Sequence, residues 1–194
     1  MASDLLRFDK DKGRLFLKDA DGGHQAVIPP TAKTVFVLLD RSGSMSGLKF
    51  DDAKRGALNF GLSCIGKGYQ VGVVVFSDKA SATSTTIDPA ALQVKINKLE
   101  CTAGGTFLES ALLHTVRHNP SYVVVVTDGQ VSDAEKSLDV AAKLKSSGTE
   151  ILTIGTDDAD KDFLQQLASR SDLSVKIAAA HLAQTISETI RLLR

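Results

Sequence analysis

The sequence predicts an α/β domain, a parallel central sheet with helices on both faces, behind a small antiparallel β appendage. Three observations predict it. The apolar runs Val35–Leu39, Val71–Phe76 and Tyr122–Val126 are continuous, not alternating, as expected of strands buried on both faces. Segments with helical spacing fill the intervals between them, the order that builds parallel sheets. The length of 194 residues suits one domain with a minor addition. A chain of this length buries roughly 70% of its unfolded surface, so it needs no metal or disulfide merely to fold.

Residues 1–30 have their own texture. Leu5–Phe8 and Arg14–Leu17 read as short strands around the polar turn Asp9–Gly13. A second turn, Asp19–Gly23, leads to a third short strand at His24–Ile28, which Pro29-Pro30 stops. Asp9, Asp11 and Gly13 have a faint calcium-loop spacing, but the third early ligand and the closing glutamate are missing, so a solvated turn is the better reading.

Residues 31–194 form the main domain. Thr34–Leu39 is a strand, and Leu48–Ile65 a helix with Leu48, Ala53, Ala57, Phe60 and Cys64 on one side. Gln70–Phe76 is the second strand, and threonine-rich Ala82–Ile87 a thin edge strand. Asp88-Pro89 is a cap followed by proline at the first helical position, opening a helix to about Leu99. Phe107–Arg117 is a helix, with Thr106 and Glu109 spaced as a capping box. Ser121–Val126 is a strand. Ser132, with Glu135 three residues on, opens a helix that Gly148 closes. Glu150–Gly155, Asp160–Ser169, Ser174–Ala178 and His181–Leu193 complete the pattern as strand, helix, strand and helix.

Charge and composition exclude several functions. Lysine plus arginine equal aspartate plus glutamate at 23 each, so there is no basic excess for nucleic acid or a membrane surface. Aromatics are only 5% and tryptophan is absent, which disfavours base-stacking platforms. No apolar run approaches the ~20 residues that span a bilayer. The first residues carry early acids and no unbroken apolar stretch, so no secretory signal is read. Cys64 and Cys101 fit no zinc spacing and read as free thiols in a reducing compartment. The expected location is cytoplasmic.

In open α/β sheets, sites form in the loops at the carboxyl ends of strands. After Val35–Leu39 comes Asp40-Arg41-Ser42-Gly43-Ser44. After Tyr122–Val126 comes Thr127-Asp128-Gly129. Between two helices lies Gly104-Gly105-Thr106. Together they supply two carboxylates, Asp40 and Asp128, and three hydroxyls, Ser42, Ser44 and Thr106, each beside glycine. With no histidine or thiol in the set, the hard cations fit, Mg²⁺ first and Mn²⁺ or Ca²⁺ as alternatives. Two negative charges balance such an ion without over-balancing it. The ion stays electrophilic and accepts an anionic oxygen from outside, which is binding chemistry and requires no catalyst.

These residues resemble the von Willebrand factor type A domain, the fold shared by integrin inserted domains. Its metal-ion-dependent adhesion site reads Asp-x-Ser-x-Ser, then a distant Thr, then a more distant Asp. Asp40, Ser42, Ser44, Thr106 and Asp128 match in order, spacing and strand context. The resemblance covers residues 31–194 and says nothing of residues 1–30. It implies a Rossmann-like three-layer α/β/α fold with one short antiparallel edge strand. It also implies an ion held directly by Ser42 and Ser44, by Thr106 directly or through water, and by Asp40 and Asp128 mainly through waters. A partner's Asp or Glu completes the ion's shell, and the last helix can shift when it does. The function expected is metal-dependent protein interaction, as an intracellular scaffold and not an enzyme. The loops around Arg41, Met45, Ser77–Lys79 and Asp157–Asp160 are expected to set specificity, and Arg41 and Lys79 favour an acidic partner segment.

Other readings fare worse. A haloacid-dehalogenase-type phosphotransferase also puts Asp after an apolar strand and binds Mg²⁺, but it needs a second carboxylate where Ser42 stands. The Gly-x-Ser-x-Gly elbow of serine hydrolases and the P-loop are absent. A small-molecule substrate is disfavoured. His114 and His118, four apart, lack the acid of a zinc-protease helix and read as a helix-end pair. A metal-free structural scaffold is the remaining alternative.

Overall fold

A computed structural model describes residues 6–9, 14–18, 24–27, 32–156 and 159–193. Strands β1 (Leu6–Asp9), β2 (Arg14–Lys18) and β3 (His24–Val27) form an antiparallel sheet in chain order, with Leu6 opposite Leu17 and Leu15 opposite Val27. The two polar turns, including Asp11 and Gly13, lie outside the described residues.

The second sheet has six strands: β4 (Thr34–Asp40), β5 (Gln70–Phe76), β6 (Ala80–Ala82), β7 (Tyr122–Thr127), β8 (Glu150–Gly155) and β9 (Ser174–Lys176). Their spatial order is β6-β5-β4-β7-β8-β9, and all pairs are parallel except β5 with β6. The chain leaves β4 to one side for β5 and returns to its other side as β7. Such a reversal opens a crevice at the carboxyl ends of the two strands.

Alternation along β4 explains the layers. Val35, Val37 and Leu39 face a core built with α1 (Leu48–Gly66), α2 (Pro89–Asn97) and α6 (Leu182–Glu188), through residues such as Phe60, Leu92 and Ile186. Phe36 and Leu38 face the opposite core, with α3 (Glu109–Val116), α4 (Ala134–Ser146) and α5 (Lys161–Leu167), through Leu112, Leu144 and Leu164. The Phe36 ring lies over Gly72, its pair on β5, where any side chain would collide with it. α6 approaches α1 at Gly56, where a Cβ would sit 2.8 Å from Ile186 Cβ.

The continuous apolar strands and the Asp88 cap are as expected; Asp88 Oδ1 accepts from Ala90 N at 2.9 Å. Several boundaries differ. The edge strand is Ala80–Ala82, because a turn that bonds Ser77 N to Lys79 O folds the chain back early; Thr86 makes only an isolated bridge to Val71. α3 begins at Glu109, and Thr106 does not cap it. Asp133 does, accepting from Leu108 N at 2.9 Å and Glu109 N at 3.0 Å. α4 begins at Ala134, not at Ser132, whose N–H goes instead to Thr106 O. The terminal helix is α6 between two 3-10 turns, Ala179–His181 and Thr189–Leu192.

Candidate functional site

Asp40 ends β4 with its side chain fully buried, and both carboxylate oxygens are engaged. Oδ1 accepts from Ser42 N at 2.8 Å, and Oδ2 accepts from Thr127 Oγ1 at 2.6 Å. Burial pushes the Asp40 carboxyl up from its ordinary value; the bonds from Thr127 and Ser42 pull it back, and the Asp128 charge adds a smaller upward push.

Beyond Ser42 the chain makes a 3-10 turn, Gly43–Met45, that folds Ser44 over Ser42. Their hydroxyl oxygens are 3.1 Å apart, and Ser44 Oγ donates to Asp128 Oδ1 at 2.7 Å. Because Ser44 has one proton, Ser42 donates to Ser44, and a short relay runs from Ser42 to Asp128. Asp128 follows β7 and is 1% exposed. A methyl placed on Gly129 would lie 3.8 Å from both Ser44 Oγ and Thr106 Oγ1, so the two hydroxyls converge on one spot. The structure therefore brings Asp40, Ser42, Ser44, Thr106 and Asp128 into one cluster at the crevice. Ser132 N donating to Thr106 O at 2.7 Å holds the Thr106 loop there.

The sequence reading missed three contributors. Thr127 reads only as the first residue of the loop after the strand; it ends β7, and its hydroxyl ties that strand to Asp40. Lys49, on the first turn of α1, sets Nζ 2.6 Å from Asp128 Oδ2. A cation at a helix N-terminus opposes the macrodipole, which was the available signal. Cys101 donates its thiol to the carbonyls of Arg41 and Ser42, both at 3.1 Å, and Thr102 N also donates to Arg41 O. Within the Met45 loop the Met45 side chain is buried while Gly43, Ser44, Ser46 and Gly47 around it are exposed, as are Asp78 and Lys79. Residues 157–158 lie outside the described residues.

The donor set suits a hard cation: two carboxylates, three hydroxyls and no soft ligand. Among the described residues no group of three or more His, Cys, Asp or Glu side chains that could hold a metal is present, so an ion here would depend on the hydroxyls and on water. The histidine pair stands apart from the cluster. His118 rests on Phe36 with ring centroids 5.1 Å apart, and its Nε2 accepts from Arg117 Nε.

Residues 34–189 match the family model of the von Willebrand factor type A domain. The chain belongs to this family. The von Willebrand factor type A family is one of protein-interaction modules, some of which carry a metal. Two von Willebrand factor A domain-containing proteins of Dictyostelium discoideum are 26% and 28% identical over 75% and 63% of this chain. The chain spans less than a fifth of either relative's length, 18% and 14%. Among solved structures, proximal thread matrix protein 1 from the mussel byssus, with a zinc-occupied MIDAS motif, has a TM-score of 0.69 at 18% identity, covering 86% of this chain and 47% of that one. The vWF domain of the type V pili tip protein Mfa5 from Porphyromonas gingivalis also scores 0.69, at 14% identity, covering 83% and 94%. The manganese-loaded TRAP protein of Plasmodium vivax scores 0.61 at 16% identity, covering 82% and 73%. At these identities the structures speak to the von Willebrand factor type A fold alone.

Proposed function

We propose that this chain is a metal-dependent interaction module of the cytoplasm. In this reading Asp40, Ser42, Ser44, Thr106 and Asp128 hold Mg²⁺, and a partner protein's Asp or Glu completes the ion's shell. The observation that carries the reading is the convergence of five hard oxygen donors, from three separated loops, on the crevice beside β4 and β7. The zinc-occupied mussel byssus protein and the manganese-loaded Plasmodium vivax TRAP protein, which share this fold, support a divalent ion in it. The bound ion would supply an electrophilic contact for an anionic oxygen. Asp40 braces the first loop through Ser42 N, and the Ser42–Ser44–Asp128 relay aligns the hydroxyls. Arg41 follows Asp40 in the chain and the exposed Lys79 lies in the loop after β5, so we take an acidic partner segment to fit this region by charge.

Among the described residues no helix is long and apolar enough to cross a membrane. Phosphotransfer has less support, because Ser42 stands where the general acid would be and Asp40 is fully buried with both oxygens bonded. A metal-free scaffold draws on one observation, the Lys49 ammonium that already neutralises Asp128.

The test is calorimetric titration of Mg²⁺ and Mn²⁺ into chelator-treated protein, with Asp40→Ala and Ser42→Ala/Ser44→Ala alongside. Single-site binding by the wild type that both variants lose supports the reading. Binding that survives in the variants, or none in the wild type, overturns it.

A further inference from the structure

Lys49 has no role in the donor set, yet it touches that set at a buried carboxylate. The Asp128 side chain is 0% exposed and the Lys49 side chain 31%, with Nζ 2.6 Å from Oδ2. The other oxygen, Oδ1, accepts from Ser44. A buried carboxylate without a counter-charge is costly, and the ammonium meets that cost. A dication bound among the same side chains would meet it as well. Two cationic groups would then face one carboxylate, and their mutual repulsion weakens whichever arrives second.

We propose that Lys49 is a tethered competitor for the divalent ion: its ammonium holds Asp128 in the metal-free protein and is displaced when the ion binds. This rests on the metal reading above and adds a residue that sets the ion's affinity. The fold supplies the tether. Lys49 is the second residue of α1, five residues after Ser44 and on the same loop-to-helix segment, so its long flexible stem can swing outward while the backbone stays in place. With Lys49 on Asp128 the two acids and one ammonium carry a net charge of −1. Without it they carry −2, a better complement to a dication. The site is therefore preorganised without metal and weak for metal, so occupancy follows the ion's concentration instead of being permanent.

The experiment is Mg²⁺ calorimetry on chelator-treated wild type, Lys49→Met and Lys49→Arg, with thermal denaturation of each in chelator and in saturating Mg²⁺. Removing a unit charge in contact with one of the carboxylates should tighten Mg²⁺ binding about ten-fold or more, after allowance for solvent screening. Lys49→Arg, which keeps the charge, should stay near the wild type. Lys49→Met should melt lower than wild type in chelator and gain more from Mg²⁺. Equal or weaker Mg²⁺ binding by Lys49→Met overturns the proposal. If the wild type binds Mg²⁺ and Asp40→Ala does not, that result leaves the metal reading standing and removes only the role of Lys49. If wild type and Lys49→Met both bind no Mg²⁺, both readings fail. Where Lys49→Met does not fold in chelator, Lys49→Met/Asp128→Asn removes both charges and serves as the control. Folding of Lys49→Met restored by Mg²⁺ supports competition. Failure in Mg²⁺ while the double variant folds overturns it.

Discussion

The Thr127 hydroxyl donates to Asp40 Oδ2 at 2.6 Å, joining the ends of two adjacent parallel strands across 87 residues of sequence. Both residues are 0% exposed, so neither has water as an alternative partner. Thr127→Val keeps the shape and removes the donor. It should destabilise the chelator-treated protein by about 1–3 kcal/mol, the cost of leaving a buried polar group short of a bond. Urea denaturation measures this, and an unchanged midpoint would mean that the bond contributes nothing.

Asp40 should also impose a pH dependence. Its folded carboxyl titrates above the ordinary value of 3.8, chiefly because of burial. The folded chain therefore binds its proton more tightly than the unfolded chain does. From this group, metal-free stability should fall as pH rises from about the ordinary value to the raised one, then level off. Asp40→Asn, neutral throughout, should lose that fall. Denaturation of both proteins in chelator across the acid range compares the slopes, and identical slopes would exclude the effect.

Packing within the sheet admits a cleaner test. Gly72 faces the Phe36 ring, and a methyl there has no room. Gly72→Ala should cost about 1–3 kcal/mol through overpacking. Gly66→Ala, where a methyl meets nothing within 4 Å, should differ little from wild type in the same melt.

The two thiols should separate kinetically. Cys64 is buried and its thiol is pushed up to about 12, so almost no thiolate forms near neutrality. Cys101 is half-buried. Thiol titration should modify Cys101 alone in the native protein and both in urea. Cys101 modification should also weaken Mg²⁺ binding, because its thiol braces the Arg41 and Ser42 carbonyls. Rapid labelling of Cys64 in native protein would contradict the packing.

The sheet was legible because valine-rich runs such as Val123–Val126 carry their burial in their own composition. The five donors were legible because each sits next to a strand end or a glycine turn. The helix starts were less so. Thr106 with Glu109, and Ser132 with Glu135, have capping spacing, but a carboxylate can serve a neighbouring helix as well as its own. Asp133 turns to α3, where it meets two N–H groups, and also accepts from Ser137. Lys49 and Thr127 were hidden for another reason. Their partners lie 79 and 87 residues away; the unfavourable placement of Lys49 at a helix start flags the residue, but no local pattern names a partner brought near only by strand order.

That strand order also has a consequence for timing. Ser44 and Asp128 are 84 residues apart in the chain. At roughly 5–20 residues per second of synthesis, the first loop leaves the ribosome about 4–17 s before its counterpart. During that interval the emerging segment holds Asp40, Ser42 and Ser44 but not Asp128, so the cluster is incomplete. Assembly of the crevice is thus a report that translation has passed β7.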